Sequence, residues 1–238
     1  TRALPAQSTV ICIQTNKMKS IIKKILSPIV IRFFHYIWWQ SKDTWPRNKF
    51  LGYEILQCPF DLQIYQELIF SSKPEFILQT GICGGGSIVY FSSILDIMGA
   101  SNDIKVIGVD IELSKEAKEI KNDRVILFEG SSTSDEVVSK IKDYTQGKKG
   151  IIILDSDHSE THVSKELSIY KDFVQKGCYL VVEDTNLNGY PVHPNFGPGP
   201  YEAVKKFLLK NKDFRQDNQL WKRNLFSFHQ YGWLVRAK

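Results

Sequence analysis

Four cysteines in 238 residues (Cys12, Cys58, Cys83 and Cys178) are too few and too scattered for a disulfide framework. There is no CxxC pair and no histidine nearby at zinc-ligand spacing, which argues against a structural zinc site, and reduced thiols of a cytosolic protein are expected. No uncharged apolar run approaches the ~20 residues of a membrane span. The most apolar stretch, Ser20 to Trp39, is interrupted by Lys23, Lys24, Arg32 and His35 and broken by Pro28. No small-residue cleavage pattern follows it, which argues against a secretory signal. Internal repeats and low-complexity segments are also missing. What is there is an ordinary globular composition, 42% hydrophobic and 24% charged, in a chain long enough for one α/β domain or one domain plus an appendage.

The net charge of +5 is unevenly spread. Residues 1–50 hold nine Lys/Arg against the single acid Asp43, a balance of +8, while the remainder holds 22 bases and 25 acids, a balance of −3. The basic excess therefore belongs to an N-terminal appendage, residues 1–50, and the charge balance of the body, residues 51–238, does not favour a basic face for nucleic acid. Two readings of Ser20–Trp39 stay open. One is a pair of short helices, separated at Pro28, packing on the domain or on a second subunit of a homo-oligomer. The other is a helix in a membrane interface, with basic residues on lipid head groups and Trp38/Trp39 at the boundary. The expected location is cytoplasmic, or peripheral at a membrane. The chain opens on Thr1 and not on Met, which leaves room for residues upstream.

From Glu75 onward, short β-branched runs alternate with helical patterns. Glu75–Thr80, Lys105–Asp110, Arg124–Glu129, Gly150–Asp155 and Cys178–Glu183 are almost continuously apolar, as strands covered on both faces must be. Segments such as Ser87–Gly99 and Ser134–Tyr144 have helix length between them, which implies a parallel sheet with right-handed crossovers. Pro200 opens a further helix through Asn211. Asn224–His229 and Tyr231–Arg236, joined by Gln230 alone, predict an antiparallel hairpin at the sheet edge.

Ligands of such sheets bind at the carboxyl ends of the strands. The first strand runs into Gly81-Ile-Cys-Gly-Gly-Gly-Ser87, a glycine turn that opens a helix and frees backbone N–H groups for a ligand. Asp110 ends the next strand, placed to accept hydrogen bonds from ribose hydroxyls. NAD enzymes and S-adenosylmethionine enzymes share this pairing. The dinucleotide spacing GxGxxG is not met, and the lysine of a phosphate-binding loop is absent, which argues against an ATPase. Asp155, Asp157 and His158 follow the fourth strand, and Glu183 and Asp184 the fifth. Adjacent strands lie about 4.8 Å apart, so these acids can converge on one hard cation such as Mg²⁺. Helix capping is the plain alternative for each acid taken singly.

Leu51 to Arg236 resembles the cephalosporin hydroxylase family, which has the class I S-adenosylmethionine-dependent methyltransferase fold. The matching stretches are Pro59-Phe-Asp-Leu-Gln-Ile-Tyr-Gln-Glu-Leu-Ile69, Thr80–Ser87, Ile107-Gly-Val-Asp110, Leu154-Asp-Ser-Asp-His158, Val182-Glu-Asp-Thr-Asn186 and Gly197–Val204. The resemblance implies a Rossmann-like, mostly parallel seven-stranded sheet with an antiparallel C-terminal hairpin and helices on both faces. It also implies Mg²⁺-assisted methyl transfer from S-adenosylmethionine to a hydroxyl of a small molecule. Carried onto this chain, the metal ligands are Asp155, Glu183 and Asp184. His158 is then the general base, since unperturbed imidazole titrates near roughly pH 6.5, and Asp157 orients it. His162, one turn on, is expected to face solvent or helix packing. Gln79, Gly81, Gly84, Gly85, Ser87, Asp110, Gly130 and Ser131 surround the cofactor. Position 79 departs from the family, which usually carries an acid there, and a neutral amide attracts the methionine ammonium less. The loop Asn186–Gly199 forms a wall or lid, with Asn186, Tyr190, His193 and Phe196 toward the acceptor. Two rival functions differ at one end of the site. An NAD-linked oxidoreductase has no need of the acidic end, and a non-catalytic, membrane-associated binding protein of the same fold would lack turnover.

Overall fold

The structure, a computed structural model, describes the backbone of residues 7–238 and the side chains from residue 24 onward. Residues 1–6 of the basic appendage, and the side chain of Cys12, lie outside the described part. The remaining thiols, Cys58, Cys83 and Cys178, are free.

A long helix α1 (Gln7–Gln40) leads into a small hairpin of β1 (Lys49–Phe50) and β2 (Tyr53–Glu54), then α2 (Pro59–Ser72). The alternating body follows: β3 (Phe76–Thr80), α3 (Gly86–Ile97), β4 (Lys105–Asp110), α4 (Lys115–Lys118), β5 (Val125–Glu129), α5 (Asp135–Thr145), β6 (Gly150–Leu154), α6 (Glu160–Tyr170) and β7 (Tyr179–Val182). It closes with α7 (Pro200–Lys210), β8 (Phe214–Gln216), α8 (Gln219–Lys222) and β9 (Trp233–Arg236). The seven strands β3–β9 form one sheet in the order β5-β4-β3-β6-β7-β9-β8, parallel except for β9, which is antiparallel to both neighbours.

Alternate residues of each central strand feed two cores. Phe76, Leu78, Ile152 and Leu154 meet α5, α6 and α7 on one face. Ile77, Ile151 and Ile153 meet α2, α3 and Ala117 of α4 on the other. Covering on both faces is why these strands read as continuous apolar runs.

Two expectations are corrected. The pair of short helices is a single helix that runs through Pro28. Pro28 is exposed, so the carbonyl it leaves without an amide partner can turn to water and not to a core. The predicted hairpin has the right sense but the wrong first strand. β9 pairs with Phe214–Gln216, and Asn224–His229 is irregular. The apolar character of that segment serves a third cluster, where Phe226 and Phe228 pack with Trp39, Cys58, Leu187 and Val192.

That cluster also redraws the appendage. His35 is fully buried, 3.0 Å from the Asn186 side-chain amide and 3.3 Å from that of Gln230, and Arg32 donates to the Gly189 carbonyl. The last turns of α1 are thus packed into the body, well before residue 51.

Candidate active site

The sheet order reverses between β3 and β6, so their carboxyl ends open a crevice. A cavity of about 790 Å³ fills it. Gly81, just after β3, has φ +73°, and a Cβ there would fall 2.0 Å from the Asp155 carbonyl oxygen. Only glycine lets the turn after β3 lie against the loop after β6. The turn is tied to the next strand by Asp110, whose Oδ2 accepts from the Ile82 and Cys83 amides at 2.9 and 3.0 Å. Asp110 Oδ1 has only a long 3.4 Å contact from the Glu112 amide, leaving an acceptor at the cavity edge. Gly81, Asp110, Gly130 and Ser131 line the cavity.

The other expected cofactor residues act from behind. Ser87 is buried inside α3, and Gly85 takes φ +79° at the start of that helix. Gly84 faces a second hollow shared with Glu54 and Glu112. Gln79 is buried beneath the turn, donating to the Gly81 carbonyl at 2.9 Å and to Asp155 Oδ2 at 3.2 Å. Its amide holds the turn and a carboxylate together; an acid at this position could not donate to either.

At the other end, Asp155, His158 and Asp184 bring one ligand atom each within 4.8 Å of one another. His158 Nε2 lies 3.4 Å from Asp184 Oδ2 and 4.0 Å from Asp155 Oδ1. Glu183 stands behind this group. Its Oε1 accepts from the Tyr65 hydroxyl at 2.7 Å and its Oε2 from Gln57 Nε2 at 2.5 Å, while the same amide reaches Asp155 Oδ2 at 3.2 Å. Burial, and the repulsion of Glu183 and Asp184, push the Asp155 carboxyl well up. Burial also raises Glu183 and Asp184, against the hydrogen bonds to Glu183 and the charge of His158 beside Asp184. Among the described residues no Lys or Arg pairs with any of the three. Three crowded carboxylates with one imidazole form a hard, oxygen-rich donor set, which fits Mg²⁺.

The remaining expectations divide. Asp157 lines the cavity, but its Oδ1 accepts from the Ser159 amide at 2.7 Å and does not hold the His158 ring. Asp184 stands beside that ring instead. His193 and Phe196 line the cavity. Asn186 is fully buried against His35, and Tyr190 packs 3.9 Å from the Tyr201 ring, so neither faces the acceptor space. His162 was expected to face away, yet it lines the cavity. Its Nε2 is 3.2 Å from the Ser132 hydroxyl and 3.6 Å from Glu166, which raises its pKa.

Trp39 and Trp45 are the residues sequence reasoning missed. Their rings, 4.8 Å apart, wall the cavity near His193 and Phe196. Trp39 is visible beside Trp38 as one end of an apolar stretch, for which a membrane boundary is one of two readings, while Trp45 carries no signal of its own.

The doubly wound sheet, with its glycine turn tied to a strand-end acid and an acidic cluster one strand away, has the class I methyltransferase fold. A family model described as Rhamnosyl O-methyltransferase/CmcI matches residues 42–237. The chain belongs to that family, and it is an S-adenosylmethionine-dependent methyltransferase. Rhamnosyl O-methyltransferase of Mycobacterium tuberculosis is 32% identical over 203 residues, covering 84% of this chain and 79% of that protein. Its counterpart in Mycobacterium leprae is 31% identical over 205 residues, covering 85% and 89%. The solved structure of CmcI with Mg and SAM superposes with a TM-score of 0.62 at 21% identity, covering 81% of this chain and 78% of that one, which shows the shared fold.

Proposed function

We propose that this enzyme moves the methyl group of S-adenosylmethionine to a hydroxyl of a small, ring-bearing molecule (a sugar, a phenol or an antibiotic-like intermediate) with Mg²⁺ at its acidic end. The rhamnosyl acceptor in the names of the mycobacterial relatives favours the sugar. One observation carries the reading: a single cavity joins Asp110 and the glycine turn to Asp155, His158 and Asp184.

Asp155 and Asp184 would hold the cation, and Glu183, expected as a third ligand but turned to Tyr65 and Gln57, would add negative charge from behind. Bound there, Mg²⁺ would lower the pKa of an acceptor hydroxyl, and S-adenosylmethionine would present an electrophilic methyl. His158 accepts the hydroxyl proton at Nε2, with the Asp184 carboxylate beside it to steady the imidazolium. Asp110 takes the ribose hydroxyls on its free oxygen. Gly81 and Gly130 let the donor lie close to the backbone. Trp39 and Trp45 exclude water and offer an aromatic face to the acceptor ring, which fixes the angle of approach. Beyond the acceptor, a peripheral place at a membrane or in a homo-oligomer would run through α1.

The test is S-adenosylhomocysteine formation with a panel of sugars and phenols, in Mg²⁺ and in excess chelator. Metal-dependent product with a hydroxylated acceptor is expected. Tight binding of NAD, with no affinity for S-adenosylmethionine in calorimetry, would overturn the reading in favour of an oxidoreductase.

A further inference from the structure

The half of α1 that points away from the body is apolar and bare. Ile25, Ile29, Val30 and Phe33 are 61–65% exposed and Ile37 is 50% exposed, while Phe34, 44% exposed, borders the patch where its ring meets Phe226. At 3.6 residues per turn these positions sweep about half of the helix circumference, while His35 and Trp39 hold the opposite side against Phe226 and Phe228. A contiguous patch of this kind, on a helix otherwise anchored, marks a contact surface.

Charge decides the occupant. The sequence of α1 carries Lys17, Lys19, Lys23, Lys24 and Arg32 and no Asp or Glu. A second copy packing helix on helix would set two such cationic segments face to face if parallel. If antiparallel, it would still offer neither of them an acidic partner, since α1 has no Asp or Glu. A layer of anionic head groups would neutralise them while its acyl boundary takes the apolar side chains. Among the described residues no helix is long and apolar enough to cross a membrane, which leaves a helix lying in the interface plane.

We infer that the exposed face of α1 docks the enzyme on an anionic phospholipid surface. The contact is separate from the methyl-transfer chemistry, because none of these side chains reaches the cavity.

Co-sedimentation with phosphatidylcholine vesicles, with and without phosphatidylglycerol, tests it at low and high salt. The full chain should bind only the phosphatidylglycerol vesicles and be released by salt. Ile29→Asp with Phe33→Asp should weaken binding by about tenfold or more, and Lys23→Gln with Lys24→Gln should weaken it several-fold. Leu209→Asp, on the exposed surface of α7, should leave it unchanged. Light scattering and thermal melting of each variant separate lost docking from lost folding. Failure of the wild-type chain to bind phosphatidylglycerol vesicles at low salt would overturn the inference. So would equal binding to neutral vesicles, or a dimer that Ile29→Asp with Phe33→Asp splits.

Discussion

His229 and Asp61 face each other in the core, Nε2 to Oδ2 at 3.3 Å, and neither titrates as it would in water. Burial raises the Asp61 carboxyl to about 7 and lowers the His229 imidazole to about 3. Between roughly pH 4 and 6.5 an unfolded chain keeps one proton on this pair, on the histidine. The folded chain also keeps one, on the carboxyl. Equal proton counts give no slope of stability with pH.

Breaking the pair should expose each half. In His229→Gln, the raised carboxyl stands alone, so stability should be greatest in acid and fall as pH rises toward 7. In Asp61→Asn, the lowered imidazole stands alone, so stability should be full above the ordinary histidine value and fall as pH drops. Urea midpoints across the mildly acid range check both signs. Parallel slopes in the two variants would show that the groups titrate normally.

Asp110→Ala should weaken S-adenosylmethionine binding by about 1.5–3 kcal/mol, the scale of hydrogen bonds to a charged group. Asp110→Asn should lose affinity too, since Oδ2 also receives the Ile82 and Cys83 amides. Calorimetry on folded variants reads the loss. Unchanged affinity would remove Asp110 from the cofactor site.

Asp155→Asn and Asp184→Asn should each cut methyl transfer by orders of magnitude while sparing cofactor affinity, and a chelator should mimic them in the wild-type enzyme. Glu183→Gln should do the same, with a further drop in melting temperature because its carboxylate also binds Tyr65 and Gln57. Full activity of all three in excess chelator would reduce these acids to structural roles.

His158→Ala should lower the rate by roughly 10²–10⁴, the usual share of a general base. The deficit should shrink as pH rises, where an acceptor hydroxyl ionises without help. A deficit constant with pH would make His158 an orienting residue.

Trp39→Ala should raise the acceptor KM several-fold and leave cofactor affinity intact. Trp39 lines the cavity from the end of α1, ahead of residue 42 where the family match starts. Loss of S-adenosylmethionine binding instead would place the tryptophan on the donor side.

The sheet was legible because its strands are buried on both faces and end in chemistry. All five predicted parallel strands agree with the structure to within a residue or so at each end. Local patterns failed where tertiary packing sets the character of a segment. Phe226 and Phe228 look like strand residues but serve an aromatic cluster, and Asn186 looks like a ligand residue but satisfies His35. Gln57, outside the matching stretches, and Tyr65, inside Pro59–Ile69, both hold Glu183, yet neither carries a local signal of that role. Their role depends on side chains more than a hundred positions away.

The contact of Gly81 with the Asp155 carbonyl has a consequence for how the enzyme can change over time. A cradle for the donor and an anchor for the acceptor normally drift independently, each tuned by its own loop. Here the turn and loop proposed for those two tasks share one wall with no room for a Cβ, so on that proposal the gap the methyl must cross is set by two strands. On the same proposal, acceptor preference would be free to diverge through Trp39, Phe196 and their neighbours while the transfer distance stayed fixed by that wall.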